Sequence, residues 1–195
     1  MLDAVVESIL DKGYYRTSSN EIARRAGVTW GTLQHQFGSR ELLLLEVLNR
    51  RWRDLQHEMA TADVTGTTLE ARLHSVLDVL ATHYGDPGQL ASLQILLDLS
   101  RDPEVSKATK RAIDEHGKRL IEAWQPLFEQ ALGDAASDEL LVRYAFVTLR
   151  GYLTGDLIAS NITDTRDDHD VRELLVQGVA SAIRQRAADR GLRLR

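Results

Sequence analysis

The chain of 195 residues contains no cysteine, which excludes a disulfide framework and any cysteine-based zinc finger and agrees with a reducing compartment. Its three prolines are few enough to be read one by one as helix ends or kinks. No apolar run approaches the ~20 residues needed to span a bilayer, and Asp3 and Glu7 interrupt the first apolar stretch, so it is no signal-peptide core. A soluble, cytoplasmic protein without a membrane partner is expected. What is present is a 43% hydrophobic chain, long enough for a full core in one large or two small domains.

The net charge of −5 argues against a nucleic-acid partner until it is split along the chain. Residues 12–53 carry eight basic side chains (Lys12, Arg16, Arg24, Arg25, Arg40, Arg50, Arg51, Arg53) against Glu21, Glu41 and Glu46, a balance of +5. Residues 54–195 hold 16 basic and 23 acidic groups, a balance of −7. A basic head on an acidic body fits a protein that meets phosphate at one end only, although ordinary surface charge clustered by chance gives the same count.

Within that head, Ser18 to Arg40 (SSNEIARRAGVTWGTLQHQFGSR) concentrates three helix starts and one tight turn. Ser18 and Glu21 have capping-box spacing, in which the hydroxyl accepts from a first-turn amide while the carboxylate reaches back to the cap. They predict a short helix with Ile22, Ala23 and Ala26 as its apolar stripe. Gly27 then suits a left-handed turn. Val28 plugs the corner, Thr29 caps a second helix whose buried side is Leu33 and Phe37, Gly38 ends it and Ser39 caps the next. Such a unit can insert one helix into a major groove.

Gly13-Tyr14, Thr17-Ser18, Glu21-Ile22-Ala23, Ala26-Gly27-Val28-Thr29, Gly31-Thr32-Leu33, Phe37-Gly38-Ser39-Arg40-Glu41 and Leu43 together resemble the N-terminal signature of the tetracycline-repressor (TetR) family. The resemblance covers roughly the first fifty positions; beyond them only the length and the all-helical pattern are similar. It implies a ligand-responsive DNA-binding regulator with a C-terminal ligand pocket and a homodimer built from the last two helices. The usual Tyr at position 34 is Gln here, which puts one phosphate contact in question. The chain starts almost inside its first helix, so the basic arm that some relatives use against the minor groove is not expected.

Periodicity predicts an all-α fold of about nine helices and no strand. The expected spans are Leu2–Lys12, the two short helices above, and one long helix from Ser39 with Leu42, Leu43, Val47 and Leu48 inward. Leu69–Tyr84 follows a Thr- and Gly-containing break over 60–68. Gly85-Asp86-Pro87-Gly88 ends that helix, Leu90–Ser100 is stopped at Asp102-Pro103, and Glu104–Leu132 is expected to kink after Trp124 because Pro126 lacks a donor. Asp138–Ile162 is apolar on nearly all sides, and Val171–Ala188 has Leu174, Leu175, Val179 and Ile183 inward. The domains are expected to be 1–50, binding DNA, and 51–195, holding ligand and partner subunit.

Thr29, Trp30, Gly31 and Thr32 form the first turn of the presumed recognition helix and are the expected base readers. Trp30 has either a thymine methyl and sugar or a neighbouring helix to meet. Ser18, Ser19, Gln34, His35 and Arg40 are expected on phosphates. The candidates for an apolar ligand cavity in the body are His74, Asp78, Asp98, His116, Trp124, Tyr144 and Tyr152, each also readable as an ordinary core or surface residue. Gly151, Gly155 and Ala159, with Gly178 and Ala182, repeat at four-residue spacing, either packing inside one subunit or forming the seam that the family resemblance implies. No His pair sits at metal-binding spacing, so neither metal nor cofactor is expected. Two other readings stand beside the regulator. One is a helical module that docks protein. The other is a metal phosphohydrolase of the HD type, resting on His169-Asp170 in the acidic stretch from Thr163 to Asp170, whose acids also suit the start of the last helix.

Overall fold

A computed structural model describes residues 1–162 and 169–194. Among these residues the chain is all-α, with nine helices: α1 (Leu2–Lys12), α2 (Ser19–Arg25), α3 (Trp30–Phe37), α4 (Arg40–Thr61), α5 (Leu69–Tyr84), α6 (Pro87–Arg101), α7 (Lys107–Leu132), α8 (Glu139–Ile162) and α9 (His169–Arg190). Short 3₁₀ turns occupy Tyr14–Arg16 and Gly133–Ser137. Side-chain caps set most of the starts. Ser18, Thr29, Ser39, Thr68, Asp86, Ser106 and Asp138 each accept from a first-turn amide of the helix that follows.

The chain forms two compact units: Met1–Leu55 with Asp86–Lys118, and Gln56–Gly85 with Arg119–Arg195. This differs from the expected division into 1–50 and 51–195, because neither unit is one continuous stretch. In the first unit Val5, Ile9, Ile22, Leu33, Leu43, Leu44 and Val47 form a buried core, and Ala91, Ile95 and Leu99 of α6 belong to it. α6 packs directly on α1. Its start corrects the reading of Gly85-Asp86-Pro87-Gly88 as a helix end only. Asp86 accepts from the Gly88 amide at 2.5 Å and Pro87 opens the helix, where the absent N–H costs nothing. α7 likewise starts at Lys107 rather than Glu104, with Ser106 as its cap.

Burial along α4 follows 43, 44, 47 and 48, so Leu44 is inside and Leu42, expected inward, is 47% exposed. The cap at Ser39 sets this register: once the helix begins at Arg40, Leu42 lies over Gly38 rather than over the core. Two ion pairs and a hydrogen bond brace the unit at its edges. Arg50 reaches Asp3 at 2.7 Å, Arg51 reaches Asp86 at 3.2 Å, and the Glu41 carboxylate accepts from the Ser106 hydroxyl at 2.7 Å.

In the second unit α5 packs on α8 and α9. The buried Arg72 side chain donates from Nε to the Ala131 carbonyl at 2.7 Å, tying α5 to the end of α7. Pro126 lies inside α7, and the helix continues through it to Leu132, so the proline does not end it. Leu141, Phe146, Leu149 and Leu157 of α8 are buried, while Leu140, Tyr144, Val147, Ile158 and Ile162 are exposed. The near-uniform apolarity of α8 therefore covers one buried face and one open face. In α9 Val176, Val179 and Ile183 are inside, but Leu174, expected inward, is 69% exposed.

The register of α4 predicts contrasting stability effects. Leu44→Ala should cost about 2–5 kcal/mol in urea denaturation, as for a fully buried leucine. Leu42→Ala should cost under ~1 kcal/mol. Equal losses would reject the register.

Candidate nucleic-acid interface

α2 starts at Ser18, whose Oγ accepts from the Glu21 amide at 3.2 Å. The other half of the expected capping box is absent. The Glu21 carboxylate turns to Lys12 at 2.9 Å and Arg24 at 2.8 Å, because two cations offer charge-assisted hydrogen bonds that the cap amide does not. The chain leaves α2 through Gly27 at φ 69, and the Val28 amide donates back to the Ala23 carbonyl at 3.0 Å. That positive φ is the conformation glycine adopts without a Cβ clash. Val28 packs on the head core, as a corner plug should.

Thr29 then caps α3, accepting from the Thr32 amide at 3.2 Å, and its hydroxyl lies 3.0 Å from that of Thr32. Leu33 is fully buried and Phe37 packs against the same core, so one side of α3 is anchored. Its other side presents Gly31, Thr32, Gln34, His35 and Gln36 to solvent, with Thr29 exposed at its start. Trp30 is half-buried against the core, which meets its need for an apolar neighbour within the chain. At Gly31 an added Cβ would meet only the Thr29 hydroxyl, at 3.6 Å. The helix surface at its N-terminal turn is therefore flat and polar, with backbone accessible.

Arg40 is held rather than free. Its guanidinium donates to the Thr17 carbonyl at 3.1 Å and sits 5.1 Å from the centre of the Tyr14 ring. Thr17 is itself buried, donating to the carbonyls of Ser8 and Gly13. The cationic end of α4 is thus oriented by the turn that precedes α2. Ser18 is exposed and Ser19 half-buried at the start of α2. Arg16, Asn20 and Gln36 are further exposed polar groups on these elements, which sequence reasoning missed. The only signal for them was polarity, which is common on any solvated helix.

The charge balance changes with α1 in view. Arg25 pairs with Asp11 at 2.5 Å and Arg50 with Asp3, both acids lying just outside the 12–53 window. Counted from residue 1 to 53 the head has eight basic and six acidic groups, a balance of only +2. The attraction to phosphate then rests on where individual cations stand rather than on net charge.

Residues 1–47 match the family described as bacterial regulatory proteins, tetR family. These residues form an N-terminal domain of the TetR family. The chain is 26% identical over 120 residues to the HTH-type transcriptional regulator BetI of Agrobacterium fabrum, covering 62% of this chain and 57% of that protein. It is 30% identical over 114 residues to the HTH-type transcriptional activator FasR of Mycolicibacterium smegmatis, covering 58% and 52%. The chain thus matches just over half the length of these curated relatives. Among solved structures, the transcriptional regulator FadR from Bacillus subtilis in complex with stearoyl-CoA has a TM-score of 0.62 at 20% identity, covering 93% of this chain and 95% of that one. The TetR family regulator PfmR from Thermus thermophilus has a TM-score of 0.61 at 18% identity with the same coverage. These likenesses establish the TetR fold along nearly the whole chain.

The matched family and both curated relatives are described as transcriptional regulators, which gives the phosphohydrolase reading no support. His169 and Asp170 are both almost fully exposed, 3.8 Å apart. Among the described residues no three metal-binding side chains converge, and residues 163–168 of the acidic stretch lie outside them.

The remaining candidates separate. Asp98 and His116 lie in the first unit, where Asp98 accepts from the Tyr15 hydroxyl at 2.6 Å and the His116 ring lies 4.8 Å from that of Trp52. His74, Asp78, Trp124, Tyr144 and Tyr152 lie in the second. There Arg172 joins two of them, donating to the His74 carbonyl at 3.1 Å and to Asp78 at 2.6 Å, while the His74 ring meets Glu173 at 2.9 Å. Trp124 is fully buried among aromatics and Tyr144 is exposed. Gly151, Gly155 and Gly178 are exposed, and a Cβ at any of them would meet nothing within 4 Å. Ala159 and Ala182 are half-buried.

The Glu21 pairing carries a pH dependence. Arg24, and after it Lys12, hold the Glu21 carboxyl down to about 2 from 4.5. A lowered folded-state pKa gives stability that is present above the ordinary value and lost as pH falls through the folded one. Urea denaturation from pH about 5 down to about 2 should therefore show a shallower fall for Glu21→Gln than for the parent. Parallel curves would show that the pairs add nothing.

Proposed function

We propose that the protein is a ligand-responsive, sequence-specific DNA-binding transcriptional repressor, acting in the cytoplasm as a homodimer on a near-palindromic operator. The observation that carries the reading is α3. It is capped at Thr29, anchored through Leu33, and offers Thr29, Gly31 and Thr32 at the end that reaches base edges when such a helix lies in the major groove. Thr32 reads a base edge or a thymine methyl. Ser18, Ser19, Gln34, His35 and the pre-oriented Arg40 take phosphates. Trp30, half-buried, contributes the edge it leaves exposed.

The open glycines support a seam between subunits. Since Gly151, Gly155 and Gly178 leave empty space around the position of a Cβ, packing inside one chain does not require them. Gly151 and Gly155 lie along α8 among exposed Tyr144, Val147, Ile158 and Ile162, an apolar face that a second copy would cover. A two-fold dimer sets two recognition helices about one DNA turn apart. A small molecule in the C-terminal body releases the operator by binding more tightly to a dimer arrangement that does not fit successive grooves. FadR with stearoyl-CoA and EbrR with imidazole are neighbours of the same fold that were solved with small molecules.

Selection from random duplexes should enrich a near-palindrome, and loss of the gene should raise transcription from promoters that contain it. A fall in transcription would make the protein an activator, as FasR is named. Against the selected operator, Thr32→Ala should relax preference at one position per half-site. Arg40→Ala should weaken binding to all sequences and reduce the salt slope by about 1. Enrichment of no palindrome would overturn the reading.

Gly155→Arg should convert a dimer to a monomer in light scattering with helical content unchanged. A dimer that survives this change would move the seam elsewhere.

A further inference from the structure

In the second unit Tyr84, Trp124, Phe146 and Arg150 form a closed ring of contacts. The Trp124 ring lies edge-on to Phe146 with centres 5.0 Å apart, and edge-on to Tyr84 at 6.1 Å. The Arg150 guanidinium sits 5.7 Å from the centre of Phe146 and lies near the Tyr84 hydroxyl. Phe128 backs the indole at 5.9 Å. Trp124 and Phe128 are fully buried, Tyr84 and Phe146 nearly so, and Arg150 is the one member of the five that is only half-buried.

Two donors in this ring have nothing to donate to. The Trp124 Nε1–H is buried without an acceptor, and so is the Arg150 Nε–H. Indole is a donor only, and a buried donor left unpaired is rare in native cores. Arg150 also has no carboxylate partner among the described residues; its contacts are a phenol and an aromatic face. Burial pushes the Tyr84 hydroxyl up, so it stays neutral and leaves the arginine charge uncompensated. A half-buried cation and an orphan indole donor, walled by aromatic rings, ask for one missing group: an acceptor, negatively charged, on an apolar body.

We infer that this ring is the effector site and that it takes an apolar carboxylic acid, its carboxylate held by Arg150 and the Trp124 indole N–H and its hydrocarbon part by Tyr84, Phe128 and Phe146. The inference rests on the regulator reading for its purpose but on these five residues for its chemistry. Arg150 is the member nearest solvent, so the ligand head passes the guanidinium on its way to the indole. A neutral alcohol would leave the charge unmet, and an ammonium head would be repelled by it.

Calorimetric titration of the full-length protein with decanoate, decanol and decyltrimethylammonium, each kept below its micelle concentration, tests the charge preference. Decanoate should bind at least about tenfold tighter than decanol, the size of one hydrogen bond to a charged group, and the ammonium more weakly than either. Arg150→Gln should bring decanoate to within about twofold of decanol while leaving decanol unchanged, which general unfolding would not do. Trp124→Phe keeps the ring and removes the donor, and should lower decanoate affinity alone. Arg143→Gln, on the exposed side of α8, should change nothing. Decanol binding as tightly as decanoate, a preference that survives Arg150→Gln, or no binding of any probe would each overturn the inference. Duplex selection on the ligand-free protein separates the two readings. A palindrome enriched without carboxylate binding sinks this site and leaves the regulator standing, and carboxylate binding without a palindrome does the reverse.

Discussion

The structure depends first on the need of each helix N-terminus to find acceptors for amides that have no partner within the helix. From α2 to α8 every helix begins at a Ser, Thr or Asp side chain that accepts from its first turn. Because a cap sets the residue at which a helix starts, it also sets which residues face inward. Thr29 illustrates this for α3: with the helix starting at Trp30, Leu33 turns into the core while Gly31, Thr32, Gln34 and His35 turn out. The surface proposed to read DNA is, in this sense, a by-product of a cap and one buried leucine.

A second constraint is electrostatic. The acids of α1 lie beside the cations of α2 and α4, so Asp11 takes Arg25 and Asp3 takes Arg50. Much of the positive charge visible in the head is thereby spent on holding its own helices together. Arg40 is the informative exception, fixed by a carbonyl and an aromatic ring that leave its charge unneutralised. The same device recurs at Arg150, over Phe146 and beside Tyr84. In both places an arginine is oriented by neutral partners, which positions a cation while keeping its attraction for an outside anion.

The capped turn between α2 and α3 was legible in the sequence because its signals are local: Ser18, Gly27, Thr29 and Gly38 act within four residues of themselves. The inward set of α4 was less so. Leu42, Leu43 and Leu44 are chemically equivalent in the chain, and only the start of the helix at Arg40 and the packing of its neighbours decide that the last two are buried. The same ambiguity put Leu174 inside when it is outside. Glu21 had the spacing of a capping box, but Lys12, nine residues away, competes for its carboxylate only after folding. The body was least legible: a buried tryptophan could be named as a candidate, whereas its unpaired N–H exists only once its surroundings are known.

By itself the sequence determined the all-α class, the order of the helices, and the capped turn between α2 and α3, because these depend on periodicity and on residues close in the chain. Tertiary structure alone decided that α6 joins α1 in one compact unit, that three glycines of α8 and α9 face open space, and that Trp124 and Arg150 come to share Phe146 and Tyr84. Those facts depend on contacts between residues far apart in sequence. A helical pattern records which face of a helix is apolar, not which helix, subunit or ligand will cover it.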